Sequence, residues 1–339
     1  MANAGKVTIL GGGSFGTAMC NIAAGNGFQT VLWMRSQARA ERCQRDRENV
    51  DYVPGYRFHD NVLVTHELKP HLVDTDILIV AVPSSSVREL CESIASDIPR
   101  ETLLVSATKG IEGGSFKRMS QVIGDLLPDN QTLVLSGPNF AKEIVANQYT
   151  GCVVAGGDDA ANAAVQKAFS SPTFRIYSSR DQIGVEYAGA LKNIYAIIVG
   201  MAESLGCGQN TTAMIVTRGL AEMRRFAVSR GADELTFLGL AGVGDLVLTC
   251  SSDQSRNYRI GAALAEGLSL EEAKQRIGQV AEGINTLKQV YEIANEERIY
   301  MPLAQGLYRT IFEQASLKEI VFELMTSESQ EDVVASVNA

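Results

Sequence analysis

Lys6-Val7-Thr8-Ile9-Leu10-Gly11-Gly12-Gly13-Ser14-Phe15-Gly16-Thr17-Ala18 stands near the start of the chain and carries its strongest structural signal. An apolar β-type run, Val7 to Leu10, feeds Gly11-x-Gly13-x-x-Gly16, and a helix-compatible segment follows from Ser14 to Asn26. Strand, glycine turn and helix in that order form the first half of a dinucleotide-binding βαβ unit. Gly11 allows the tight turn, Gly13 lets the backbone approach a pyrophosphate, and Gly16 lets helix and strand pack closely. The helix start adds unpaired N–H groups and the positive end of a dipole. A structural glycine turn is the competing reading, and the local context favours the cofactor.

A chain of 339 residues exceeds what one hydrophobic core usually supports, so two domains are expected. A net charge of −9 argues against nonspecific nucleic-acid binding, which needs a basic surface. No apolar run approaches the ~20 residues that span a bilayer, so no membrane insertion is expected. With a strand this early, no signal peptide is expected. Cys20, Cys43, Cys91, Cys152, Cys207 and Cys250 are scattered without a C-x-x-C pair, which suggests reduced thiols in a cytoplasm and argues against zinc. His59, His66 and His71 all lie in one early stretch, where polar loop residues are a better reading than metal ligands. A proton donor in the second half therefore has to be something other than histidine.

Phe28–Trp33 reads as the second strand, whose end is where a dinucleotide enzyme chooses its cofactor. It closes on Trp33-Met34-Arg35-Ser36 with no acid before Glu41, so Arg35 leans the choice toward NADP(H), with NAD(H) left open. Residues 37–60 look like a helix followed by a loop. Buried strands follow at Asp76–Val82, Thr102–Ser106 and Thr132–Ser136, and strand-like runs at Cys152–Ala155 and Thr173–Tyr177 end the series. Strand and helix thus alternate to about residue 180, the pattern of a doubly wound parallel sheet. Ligands gather at the carboxyl ends of such strands, which makes Lys109, Gly137 and Asn139 candidates by position.

Past residue 180 the pattern is helical, over Gln182–Leu205, Thr211–Arg230, Tyr258–Gly267, Ser269–Gly278, Gly283–Asn295, Pro302–Phe312 and Ser316–Leu324. The polar, acidic tail from Thr326 is expected to fray. Lys192 and Asn193 interrupt an otherwise apolar helix with small neighbours, Ala188, Gly189 and Ala196. Two readings stand side by side: a dehydrated lysine suited to proton transfer, or one whose ammonium snorkels to solvent. Gly239–Asp245 reads as a second glycine-rich loop with a carboxylate at its end. Ser255-Arg256-Asn257, placed before a helix, combines a charge, a hydroxyl, an amide and a dipole into a phosphate cradle, although capping explains Ser255 or Asn257 equally well.

With these pieces assembled, the chain resembles the bacterial NAD(P)-dependent sn-glycerol-3-phosphate dehydrogenases. The resemblance is carried by Gly11–Ala18, Ala107-Thr108-Lys109-Gly110, Ser136–Ala141, Leu191-Lys192-Asn193, Gly239–Asp245, Gln254–Asn257 and Val280–Gly283, in that order. It implies an α/β N-terminal Rossmann domain, doubly wound and mostly parallel (1–180), an all-α C-terminal domain (181–325) and a tail (326–339). It implies reversible hydride transfer between NAD(P)H and dihydroxyacetone phosphate, giving sn-glycerol 3-phosphate for phospholipid synthesis, in a homodimer. Lys192 would be the acid/base. Lys109, Gly137, Asn139, Asp245, Ser255, Arg256 and Asn257 would line the substrate site. Ser14, Phe15, Arg35, Lys109, Ala141, Arg256, Val280 and Glu282 would touch the cofactor. Asp245 is read as orienting the lysine or as accepting a substrate hydroxyl. The chain departs from the family at Asn139, where Ser or Thr is usual.

The nearest competitors are other two-domain reductases, such as a ketopantoate reductase or a hydroxyacid dehydrogenase, which have no need of a phosphate cradle. A nucleotide-sensing regulator would keep the first glycine motif but would not need Lys192 or Asp245.

Overall fold

Lys6–Leu10 forms β1, the strand around which an eight-stranded sheet is laid out in the computed structural model, which describes residues 5–278 and 281–326. The order of elements is α1 (Ser14–Gly25), β2 (Gln29–Trp33), α2 (Gln37–Asp46), β3 (Val62–Thr65), β4 (Ile77–Val80), α3 (Val87–Ile94), β5 (Leu103–Ser106), α4 (Met119–Leu126), β6 (Thr132–Ser136), α5 (Ala141–Val145), β7 (Thr150–Ala155), α6 (Asp159–Phe169) and β8 (Phe174–Ser179). The strands lie in the order β3-β2-β1-β4-β5-β6-β7-β8, parallel up to β6, with β7 antiparallel to β6 and β8 parallel to β7. The chain therefore reverses its direction of travel between β1 and β4, the switch point where α/β sheets open a ligand crevice. Register aligns the strand ends, with Leu10 opposite both Trp33 and Val80, and Val80 opposite Ser106. Gly11, Met34, Ala81 and Ala107 thus leave the sheet side by side.

Side chains of successive residues point to opposite faces. Val7 and Ile9 join the core with Ala18, Met19 and Phe169, while Leu10 joins Leu78, Val80 and Ile123 on the other side. The sequence reading passed over β3, whose four residues alternate between buried and exposed at the sheet edge. After β4 a 3-10 turn, Ser84–Ser86, leads into α3.

This sheet unit takes in the chain up to Glu112 together with Lys117–Gln182; Gly113–Phe116 and the chain from Ile183 onward form a second, helical unit. The second unit contains α7 (Gln182–Ser204), α8 (Gln209–Val228), α9 (Asp245–Cys250), α10 (Arg256–Ala265), α11 (Leu270–Ile277), α12 (Glu282–Glu296), α13 (Pro302–Phe312) and α14 (Leu317–Thr326). The expected fraying of the tail concerns residues 327–339, which lie outside the described residues; Thr326 itself closes α14.

Helix α7 is buried along most of its length, because its small and apolar residues face neighbours on all sides. It crosses α10 at backbone contact. A β-carbon on Gly200 would overlap the Tyr258 carbonyl, and one on Gly261 would overlap the Ile197 carbonyl. The crossing is latched by Glu203, which accepts from Tyr258 Oη at 2.6 Å and from Thr212 Oγ1 at 3.1 Å.

Glu222 of α8 ties three helices together. Its carboxylate accepts from the Leu303 and Ala304 N–H groups at the start of α13, at 2.7 and 3.2 Å, and from Tyr195 Oη of α7 at 3.0 Å. Burial nevertheless pushes its carboxyl up to about 7, against the pull of these donors and of Arg225. A folded-state value above the ordinary 4.5 means that the folded protein holds the proton more tightly than the unfolded chain does. The stabilisation is complete below the ordinary value and is lost as pH rises through the folded one. Between pH 4.5 and 8 the unfolding free energy is expected to fall by about 3 kcal/mol more in the native protein than in Glu222→Gln. Urea unfolding of both across that range is the check, and parallel curves would refute it.

Candidate active site

The first glycine motif has the geometry of a nucleotide cradle. Gly11 adopts φ +125°, a conformation that favours glycine, and a β-carbon there would overlap the Ala81 carbonyl. A β-carbon on Gly16 would overlap the Gly11 carbonyl, so helix and turn touch. Gly13 differs: nothing lies within 4 Å of where its β-carbon would stand, and no side chain caps α1. The cradle is bare where a pyrophosphate would meet the helix start, so the residues present fit a dinucleotide. Asn49, which the sequence reading missed, fixes the turn from below by donating to Gly12 O at 3.0 Å and to Thr17 Oγ1 at 2.8 Å. Ser14 Oγ donates to Tyr52 O at 3.3 Å, and Phe15 packs on the sheet core.

Arg35 is exposed just past β2. Ser36 caps α2 by accepting from Arg39 N at 3.4 Å, and Arg39 and Arg42 both pair with Asp51. Among the described residues no carboxylate pairs with Arg35, which leaves its guanidinium to meet a phosphate. Lys109, Gly137 and Asn139 come together past the ends of β5 and β6, where Lys109 Nζ lies 3.4 Å from Gly137 O and 3.5 Å from Asn139 Oδ1. Ala141 opens α5.

In the helical unit the snorkelling reading of Lys192 is excluded. Its side chain is 6% exposed, and Nζ lies 2.5 Å from Asp245 Oδ1, itself 1% exposed. Nζ also donates to Thr249 Oγ1 at 2.7 Å, and that hydroxyl donates onward to the Asp245 carbonyl at 2.6 Å. With its own hydrogen committed, Thr249 presents a lone pair to the ammonium. Sequence reasoning missed Thr249, although its spacing of four from Asp245 on one helix was a usable signal. Burial pushes the neighbouring Cys250 thiol up to about 12, so it stands beside the pair uncharged.

The second glycine stretch is not a loop. Leu240–Gly244 is a π-helical turn running straight into α9, and glycine at 242 is needed because a β-carbon would overlap the Phe237 backbone. Nor does Ser255-Arg256-Asn257 precede its helix: α10 starts at Arg256, two residues earlier than expected. Ser255 is the cap, accepting from Tyr258 N at 3.2 Å, and Arg256 is exposed on the first turn. Asn257 is buried and accepts from Gly283 N at 3.0 Å. Glu282 is the first residue of α12; Val280, the other expected cofactor contact of that stretch, lies outside the described residues.

A buried ammonium with a fixed counter-charge, and a helix N-terminus carrying an arginine, suit the reduction of a carbonyl compound that also bears an anion. Comparison with known proteins agrees. Residues 6–162 match the family model described as NAD-dependent glycerol-3-phosphate dehydrogenase N-terminus, and residues 181–322 match its C-terminus. The chain is 55% identical to a glycerol-3-phosphate dehydrogenase [NAD(P)+] of Saccharophagus degradans, over 98% of this chain and 93% of the relative. It is 53% identical to one of Teredinibacter turnerae, over 98% of each. Its fold is similar to the crystal structure of a glycerol-3-phosphate dehydrogenase from Coxiella burnetii, with a TM-score of 0.91 at 35% identity, covering 95% of this chain and 99% of that one.

Proposed function

This chain belongs to the NAD-dependent glycerol-3-phosphate dehydrogenase family, and we propose how its own residues carry the reaction. It reduces dihydroxyacetone phosphate reversibly to sn-glycerol 3-phosphate with NADH or NADPH. With that membership the ketopantoate reductase and hydroxyacid dehydrogenase readings lose their ground. The observation that carries the mechanism is the buried Lys192–Asp245–Thr249 constellation.

Bound at the first glycine motif, the nicotinamide cofactor supplies or accepts the hydride. Gly11, Gly13, Ser14, Phe15 and Gly16 would hold its pyrophosphate side, and Arg35 would favour the 2′-phosphate of NADP(H); Lys109, Ala141, Arg256 and Glu282 are the further contacts that the family resemblance implies. Lys192 donates a proton to the carbonyl oxygen as charge develops there, and takes it back in the reverse direction. Asp245 keeps the ammonium charged inside the protein, and Thr249 aims it. Arg256, Ser255 and Asn257 receive the substrate phosphate at the start of α10; Lys109, Gly137 and Asn139 of the sheet unit are the further substrate contacts that the family resemblance implies. Asn139 reaches toward the Lys109 ammonium through its amide oxygen, a contact within reach of its longer side chain.

The proposal extends to a cytoplasmic homodimer that supplies phospholipid synthesis. Six free cysteines support a reducing compartment. Among the described residues no helix is long and apolar enough to cross a membrane.

The test follows NADPH absorbance on adding dihydroxyacetone phosphate or unphosphorylated dihydroxyacetone. Strong preference for the phosphorylated ketone is expected, and Arg256→Ala should raise its KM between about 10- and 100-fold, the loss of one charge-assisted contact. The ratio of kcat/KM for NADPH over NADH reads out Arg35. Equal turnover of the two ketones would sink the phosphate assignment.

A further inference from the structure

Asn257 can show a ligand either of two faces, an acceptor oxygen or a donor NH2, and only the second suits a phosphate dianion. Its environment settles which face is committed elsewhere. Asn257 is the second residue of α10, and its Oδ1 accepts from Gly283 N–H at 3.0 Å. Gly283 is the second residue of α12, which has no side-chain cap of its own. The oxygen therefore serves the orphan donor of another helix, and the NH2 is the half of the amide that can donate to a ligand.

Gly283 also lacks a side chain where one would do harm. A β-carbon there would stand 2.7 Å from Asn257 Oδ1, 2.8 Å from the Asn193 carbonyl and 3.0 Å from Ile197 Cδ1. The Asn193 carbonyl is main chain inside α7, next to Lys192, and gives way least. The Asn257 amide sits at the end of a rotatable side chain and is the group that would swing.

We propose that Gly283 is a positioning residue for substrate binding: its N–H and its missing β-carbon hold Asn257 with the amide NH2 turned to the substrate phosphate. The proposal rests on the reading of Ser255–Asn257 as the phosphate cradle, and it gives a reason of chemistry for glycine in the closing Val280–Gly283 motif. It acts through Asn257 and touches no reacting atom, so the effect belongs in the KM for the phosphorylated ketone.

The experiment compares the full-length native enzyme, Gly283→Ala and Asn257→Asp on dihydroxyacetone phosphate and on dihydroxyacetone, with the KM for NADPH and the melting temperature measured alongside. Gly283→Ala is expected to raise the KM for dihydroxyacetone phosphate about tenfold, with kcat and the KM for NADPH changed less than about threefold. Its loss of kcat/KM on dihydroxyacetone should be at least about fivefold smaller than on the phosphate ester. Asn257→Asp keeps an acceptor for Gly283 and turns a carboxylate oxygen toward the phosphate, so its loss on the ester should be the larger, about 100-fold. Equal losses on both ketones for Gly283→Ala would mark a merely structural glycine and overturn the proposal, as would an Asn257→Asp enzyme with native KM. A native enzyme indifferent to the phosphate would instead bring down the cradle reading beneath it.

Discussion

Lys192→Ala is expected to lower kcat for dihydroxyacetone phosphate reduction on the order of 10³-fold, with NADPH affinity held within about twofold. The size follows from what is left behind. The three histidines lie at positions 59, 66 and 71, so the helical unit has none to substitute. Thr249 has already given its hydrogen to the Asp245 carbonyl, and the Cys250 thiol is locked in its neutral form by burial. Water entering the space is a poorer and unaimed acid. Lys192→Arg should be equally inactive, because a guanidinium keeps its proton while preserving the charge. Single-turnover hydride transfer from NADPH and a fluorescence titration of the cofactor separate chemistry from binding. A loss of less than tenfold would remove Lys192 from the proton-transfer role.

The second large effect is expected at Asp245. Asp245→Asn leaves an ammonium in the protein interior without its counter-charge, and breaking a buried pair in this way costs about 3 kcal/mol of folding stability. The kinetic consequence has a definite sign. Without the carboxylate, burial favours the neutral amine, so the lysine loses its proton at lower pH. On the proposed mechanism reduction needs the ammonium and declines once pH passes that value; the alkaline limb of its profile should therefore move to lower pH. The reverse oxidation, which needs the neutral amine, should begin at lower pH by the same displacement. A lower melting temperature with unshifted limbs would show that Asp245 holds the fold without tuning the lysine.

The sequence made the sheet legible because buried parallel strands read as short unbroken apolar runs, as at Ile77–Val80. It hid β3, since a four-residue edge strand with one exposed leucine carries too little pattern to separate from loop. It also misjudged Leu240–Gly244, where glycines signalled a turn but serve close packing against Phe237 inside a helical coil. For the site, the residue types were visible and their partners were not. Lys192 in an apolar helix left snorkelling and burial equally open, and only the 2.5 Å contact with Asp245, 53 residues later, decides between them. Asn257 shows the same limit. Its position suggested a cap or a ligand, whereas its oxygen serves a helix that begins 25 residues downstream in sequence, at Glu282. Long-range pairing of polar atoms leaves no periodic trace for a local pattern to reveal.

The glycine-lined crossing of α7 and α10 has a bearing on selectivity. Lys192 rides on one of these helices and Arg256 on the other, and they meet main chain to main chain at Gly200 and Gly261. Packing through long side chains leaves slack that rotamer changes can take up; two backbones in contact have none. On the proposed reading, the span from proton donor to phosphate helix is a calliper set to one opening. A ketone phosphate with an extra carbon between its two reactive ends would meet either the lysine or the helix start, and length is judged before any side chain is consulted.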